Sequence, residues 1–182
     1  MSRMEQISEL LHQVPRPPED LIPSGVTDEE IAHFEERTGI VVPAILRRWL
    51  RVTNGPCVGP GGFYGIHPLR SHLEIEWYLN LFPDWKKKHW IPVAGDGCGN
   101  HYVIPTQNDF GFGYPVMFVD TGRAIDSPSY VVASDLEHFV VGTLRKEMGD
   151  TGWPFSRDRT LAFDPRLSDF HAVPLPWEAT DA

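Results

Sequence analysis

Asp96, Cys98 and His101 lie in one short stretch and are, by type, the side chains of this chain best suited to covalent chemistry. A thiolate beside an imidazole, with an acid to orient the ring, is how nucleophilic acyl transfer begins. The spacing argues against that use. Cys98 and His101 flank a tight turn, Gly95-Asp-Gly-Cys-Gly-Asn100, and no oxyanion donor or second catalytic motif accompanies them. The stronger expectation is a glycine loop with positive backbone angles beside a half-exposed strand histidine. A Cys-His hydrolase therefore ranks last among the functional readings.

Metal chemistry is a second use of the same residue types. Cys57, Cys98, His67, His72, His89 and His101 offer thiolate and imidazole, the usual zinc ligands, but their spacing matches none of the paired zinc patterns. The glycine loop also lacks the Gly-Lys-Ser/Thr ending of a phosphate cradle and leads toward a strand rather than a helix, and Asp96 would repel an anion. No cofactor or metal is expected.

Recognition chemistry is better supplied. Asp28, Glu29, Glu30, Glu35 and Glu36 form an acidic run that could dock a basic protein face, although such runs usually serve as a solvated helix surface with capping duties. Asp96, Asn100 and His101 would present a second patch. Lys86-Lys-Lys88 is a solvated loop rather than a nucleic-acid groove. Trp49 and Trp77 fit apolar stripes and belong to the core. Trp85, after Pro83-Asp84, is the best candidate for an exposed anchor. Phe110-Gly-Phe-Gly-Tyr114 is a second aromatic loop, equally well explained as a hairpin tip held down by its rings.

The elements that must position these groups follow from periodicity and caps. Met4, Ile7, Leu10, Leu11 and Val14 predict an amphipathic helix, broken by Pro15-Arg-Pro-Pro18. Thr27-Asp28-Glu29-Glu30 has the form of a capping box, Ile31 and Phe34 mark the buried face, and Gly39 supplies the stop. Pro43 opens the next helix, whose stripe is Ile45, Leu46, Trp49 and Leu50 and which closes at Asn54-Gly55. A short strand at Phe63 to Ile66 is expected, then a third helix with Leu69, Leu73, Trp77 and Leu81, stopped by Pro83. Trp90 to Ala94 and His101 to Ile104 predict a hairpin, and Pro115 to Asp120 and Ser129 to Ala133 two further strands. Ser134-Asp-Leu-Glu137 reads as another capping box, opening a helix that runs to Gly149. The remainder mixes aromatics with prolines and predicts an extended tail packed onto the domain, with only the last few residues free.

Bulk properties narrow the function. The 182 residues carry sixteen Lys and Arg against twenty-five Asp and Glu, a formal net charge of -9. That balance opposes direct nucleic-acid binding and favours steering toward a basic protein. Two cysteines and the lack of a secretory pattern at Met1 to Gln6 suggest a reducing cytoplasm. No apolar run approaches the roughly 20 residues that span a bilayer, so a soluble protein is expected. Strands and helices in blocks imply an α+β fold with a single mostly antiparallel sheet of short strands flanked by helices.

The order of these motifs resembles the SUKH superfamily, the Smi/Knr-like domain of bacterial toxin-immunity proteins and fungal cell-wall regulators. Gly25 to Glu35, Thr38-Gly-Ile-Val-Val-Pro43, Leu46 to Leu50 and Asn54-Gly55 are similar to its acidic helix, Gly-x-x-x-Pro link and Asn-Gly stop. Trp90 to Asn100 resembles its glycine-rich strand and loop, with Cys98 where the family often has a small residue. Val116 to Asp120 and Ser134 to Val140 are similar to its later strand and closing helix. The resemblance implies a Smi/Knr-like domain at 25–149, between an N-terminal helix and connector at 1–24 and an aromatic, Pro-rich extension at 150–182. It supplies no catalytic residues. It further implies a non-enzymatic cytoplasmic immunity protein that binds a cognate toxin of the nuclease or deaminase class, a basic domain meeting Asp28 to Glu36 or the Gly95 to Asn100 loop. A regulatory or scaffold domain without a toxin is the alternative. Oligomeric state stays open.

Overall fold

A computed structural model describes residues 3–111 and 113–179. Its helices, among the described residues, are α1 (Arg3–Gln13), α2 (Asp28–Thr38), α3 (Ala44–Val52), α4 (Ile75–Leu81), α5 (Pro83–Lys87), α6 (Leu136–Glu147), α7 (Arg157–Phe163) and α8 (Pro176–Ala179). The strands are β1 (Trp90–Gly95), β2 (His101–Pro105), β3 (Val116–Val119) and β4 (Tyr130–Ala133). They form one antiparallel sheet in the order β1-β2-β3-β4, which is the expected α+β arrangement.

Alternation along the strands decides what each face carries. Tyr102 pairs with Ala94 and Phe118, and Phe118 with Tyr130. Tyr102 meets Phe139 of α6 at 4.7 Å between ring centres, so α6 covers this face, with α1 packed against α6 and α3. His101, one residue away, points to the opposite face and into the rings carried by α4 and α5. The core joins these layers through Trp49 of α3, which packs edge-on to Phe63, which in turn contacts Phe139.

Local signals fixed the early helices. Thr27 Oγ1 accepts from Glu30 N–H at 3.2 Å and Glu30 Oε2 accepts from Thr27 N–H at 2.7 Å, closing the capping box. Gly39 takes the left-handed stop at φ 73°. Asn54 and Gly55 lie beyond α3, whose C-cap is Thr53. Asn54 acts like a strand residue: its Nδ2 donates to Ile66 O at 2.7 Å and its Oδ1 accepts from Ile66 N–H at 2.8 Å. Phe63 to Ile66 form no strand of the sheet but isolated bridges, Phe63 to Ala94 and Gly65 to Glu74.

Three other expectations are corrected. Leu69 does not begin a long helix. A 3-10 turn at Ser71–Leu73 precedes α4, whose buried positions are Ile75 and Leu79, so Trp77 and Leu81, shifted by two residues, fall on the wet side at 51% and 53% exposure. The cap of α6 is Asp135, which accepts from His138 N–H at 2.8 Å. Ser134 is engaged elsewhere. The tail is not extended: α7, a 3-10 turn at Pro165–Asp169 and α8 fold it back, while Phe110 packs on Phe170 at 5.7 Å. Phe112 of the aromatic loop and the final residues 180–182 lie outside the described residues.

Both edges of the sheet are covered, which removes templates for stray strand pairing. On β1, Val93 O accepts from Tyr64 N–H at 2.8 Å and Gly95 N–H donates to Gly62 O at 3.1 Å. Pro92, without a donor, fits such an edge strand. On β4, Val131 N–H donates to Pro174 O at 2.9 Å. The tail is also pinned from within. Buried Asp164 accepts from Ser134 N–H at 2.7 Å and Ser134 Oγ–H at 2.6 Å. Removing that carboxylate leaves two buried donors unpaired, so Asp164→Ala should cost about 2–4 kcal/mol, read as a lower urea midpoint at unchanged m-value.

Candidate functional site

Polar groups and backbone converge where the loop Gly59-Pro-Gly-Gly62 rests on Gly95 to Gly97. An added Cβ at Gly61 would stand 2.4 Å from the carbonyl carbon of Gly95, and one at Gly97 would stand 2.6 Å from Pro60 O. Main chain thus touches main chain, which only glycine permits. Beside this contact opens a cleft of about 300 Å³, walled by Tyr64, Tyr78 and His101, with Cys57, His72 and Asn100 among its lining residues.

His101 is buried, not half exposed as the sequence suggested. Its Nδ1 shares a hydrogen bond with Tyr64 Oη at 2.7 Å, and the rings of Tyr78, Phe82 and Trp85 surround it at 4.6, 5.4 and 5.5 Å. Burial holds its pKa down to about 4, against the opposing pull of Asp96. Burial likewise raises the Tyr64 phenol far above its ordinary value. At neutral pH both groups are uncharged. An imidazole so resistant to protonation is a poor partner for a thiolate.

The residues that suggested catalysis are thereby separated. Cys98 is exposed and free, while His101 is committed to Tyr64. Asp96 organises its own loop: Oδ1 accepts from Cys98 N–H at 2.7 Å and Asn100 N–H at 2.9 Å, and Oδ2 accepts from Asn100 Nδ2 at 2.8 Å. Asn100 Oδ1 then accepts from Thr121 N–H at 3.1 Å, tying the loop to the end of β3. Asp96 and Asn100 keep the hairpin loop rigid beside the cleft.

Trp85 is the clearest correction among the candidate site residues. It is fully buried and donates from Nε1 to Ile125 O at 2.6 Å, so it cannot serve as an exposed anchor. The reason is Pro83, which occupies the first turn of α5 and makes a helix where a loop was expected. The exposed indole is instead Trp77, edge-on at 4.8 Å to Tyr78, a residue of the cleft wall. Its i, i+4 spacing with Leu81 was visible in the sequence, but not the side on which the stripe would fall.

The acidic run divides. Asp28 pairs with Arg51, and Glu35 accepts from Val42 N–H at 2.6 Å and Arg47 Nη2 at 2.5 Å, bracing the link from α2 to α3. Glu29 and Glu36 are exposed and without ion-pair partners among the described residues. Of the six Cys and His residues weighed as zinc ligands, His67 meets Glu74 and Glu76 rather than a cysteine, with ligand atoms all within 4.8 Å. Arg37 already supplies a cation there, 2.7 Å from Glu76 and 2.9 Å from His67 Nε2.

Residues 25–142, more than half of the chain, match the SMI1/KNR4 family (SUKH-1). The chain belongs to that family. No curated protein matches it. The match makes this a Smi/Knr-like domain, and it takes in both glycine loops, the aromatic cage and the Asn54 clamp. No helix among the described residues is long and apolar enough to cross a membrane.

Two tests probe the SUKH-1 cleft. Gly61→Ala forces the glycine loops apart and should lower stability by about 1–3 kcal/mol, measured by denaturant titration. As pH falls from 6.5 toward 4, an unfolded chain protonates His101 while the folded chain does not. Stability is therefore fully present above that window and lost through it. Urea midpoints of His101→Gln should fall less steeply than those of the parent over the same range. Parallel slopes would mean that the ring is accessible to protons.

Proposed function

We propose that this SUKH-1 chain is an immunity protein that neutralises a cognate toxin by direct binding, through the glycine-walled cleft and its rim. The observation that carries the reading is the half-exposed Trp77, edge-on to Tyr78 of the cleft wall, with Leu81 exposed one turn further along α4, beside a cleft fixed on one side by main-chain contact and on the other by the Tyr64–His101 hydrogen bond. Rigid walls lose little conformational freedom on binding, and an exposed tryptophan next to a depression is the usual composition of an interface hot spot. Arg37 of α2 bridges to Glu76 of α4, so the last turn of α2, with Glu36, lies near the helix that carries Trp77, and Glu29 continues the acidic surface toward the start of α2. That combination suits a basic domain such as a nuclease or deaminase, with the chain's charge of -9 steering the encounter. Asp28, Asp96, Asn100 and His101 support the surface from within it or at its edge. The cytoplasm is the compartment proposed.

The test is affinity capture with the full chain in its native host, followed by co-expression of the captured partner. One stoichiometric basic polypeptide is expected, with its toxicity relieved by this chain. Trp77→Ala should weaken the complex by about tenfold or more while leaving the unfolding midpoint close to the parent value. Absence of any partner at micromolar concentration, or a complex indifferent to Trp77, would overturn the reading.

A further inference from the structure

Away from the cleft, the last turn of α6, the segment that follows it and α7 enclose a pocket of about 510 Å³. Arg145, Lys146 and Arg159 line it together with Trp153 and Phe163, and Asp150 is the one carboxylate among the lining residues. Six arginines elsewhere in the fold are matched to acids: Arg37 to Glu76, Arg47 to Glu35, Arg48 to Glu137, Arg51 to Asp28, Arg70 to Asp20 and Arg123 to Asp120.

The two arginines of the pocket are held by neutral groups. Arg159 Nη1 donates to Thr151 O at 2.6 Å and to Thr151 Oγ1 at 3.2 Å, and the Arg145 guanidinium stands 5.0 Å from the centre of the Phe163 ring. Such contacts fix the side chains without cancelling their charge. Neither these arginines nor Lys146 forms an ion pair among the described residues. Cations in the last turn of a helix complement its dipole, which accounts for Arg145 and Lys146, but Arg159 comes from α7 and has no such duty. The apolar wall is equally built. A Cβ on Gly142 would stand 2.5 Å from the Trp153 ring, so the indole lies directly on the helix, and its buried Nε1 has no acceptor among the described residues.

We propose that this pocket binds a small organic anion, a carboxylate or phosphate ester on a flat ring, with the oxyanion between Arg145 and Arg159 and the ring against Trp153 and Phe163. Planar guanidinium groups match the geometry of both oxyanions, and the aromatic walls select a flat, apolar body.

The probes are phenyl phosphate and benzoate, titrated into the full chain while the Trp153 indole N–H resonance, assigned with Trp153→Phe, and the heat of binding are followed. Saturable binding of either probe is expected, and the preferred one identifies the oxyanion. Benzyl alcohol, with the ring but no charge, should not bind. Arg145→Gln and Arg159→Gln should each weaken the preferred probe by about tenfold, and Arg159→Lys by less. Melting curves verify that these variants fold, and a variant that does not fold is replaced by its lysine counterpart at the same position. No saturable binding of either probe up to about 10 mM, or binding that survives both glutamine substitutions, would overturn the proposal.

Discussion

The contact between Gly61 and Gly95 is the constraint on which the rest of this structure depends. Two backbones meet at a distance that excludes a single methyl group, and the meeting seats the loop Gly59–Gly62 along the outer edge of β1. Once seated, the loop delivers Tyr64 to His101, and the Tyr64–His101 pair gives α4 and α5 an aromatic surface to close over. A cleft built in this way takes its shape from main-chain contact on one side, from the Asp96 brace, and from side chains locked by the Tyr64–His101 hydrogen bond on the other. It is therefore largely preorganised, and a binding partner does not have to order it.

Charge plays a different part in this fold from the one its total suggests. Much of the acid is consumed internally: Glu30 in a cap, Glu35 in the link between α2 and α3, Asp96 in its loop, Asp164 in the seam with Ser134. Asp28 is matched by Arg51 at the surface, where such a pair adds little stability. Long-range steering survives this pairing because it depends on the summed field. Docking depends on which carboxylates remain unmatched, and along α2 those are Glu29 and Glu36.

What could be read from the sequence was what is decided locally. The Thr27 capping box, the Gly39 stop, the β1–β2 hairpin and the four strands all carry signals within a few residues of where they act, and all are present. The signal of Asn54 was local but its cause was not, since the side chain bonds Ile66 across a loop. Trp85, Trp77 and His101 were misplaced because exposure is settled by tertiary partners. Pro83 starts a helix that buries Trp85, α4 begins late enough to turn Trp77 outward, and rings from two helices enclose His101. Ser134 resembled a cap until Asp164, thirty positions away, claimed its hydroxyl.

The tail was the least legible region, and its packing shows why. Its prolines and aromatics have no period because their spacing answers to a surface already formed: Gly142, bare where an indole must lie; Ser134, with two donors awaiting a carboxylate; and Val131, with an unpaired edge N–H. Each of these is inside or at the border of the family-matched region, and each is satisfied from outside it, by Trp153, Asp164 and Pro174. A matched region with a missing side chain, two buried donors and an open strand edge is not a finished surface. The segment after α6 completes the fold, and in doing so it creates, between α6 and α7, a pocket that the matched region alone could not enclose.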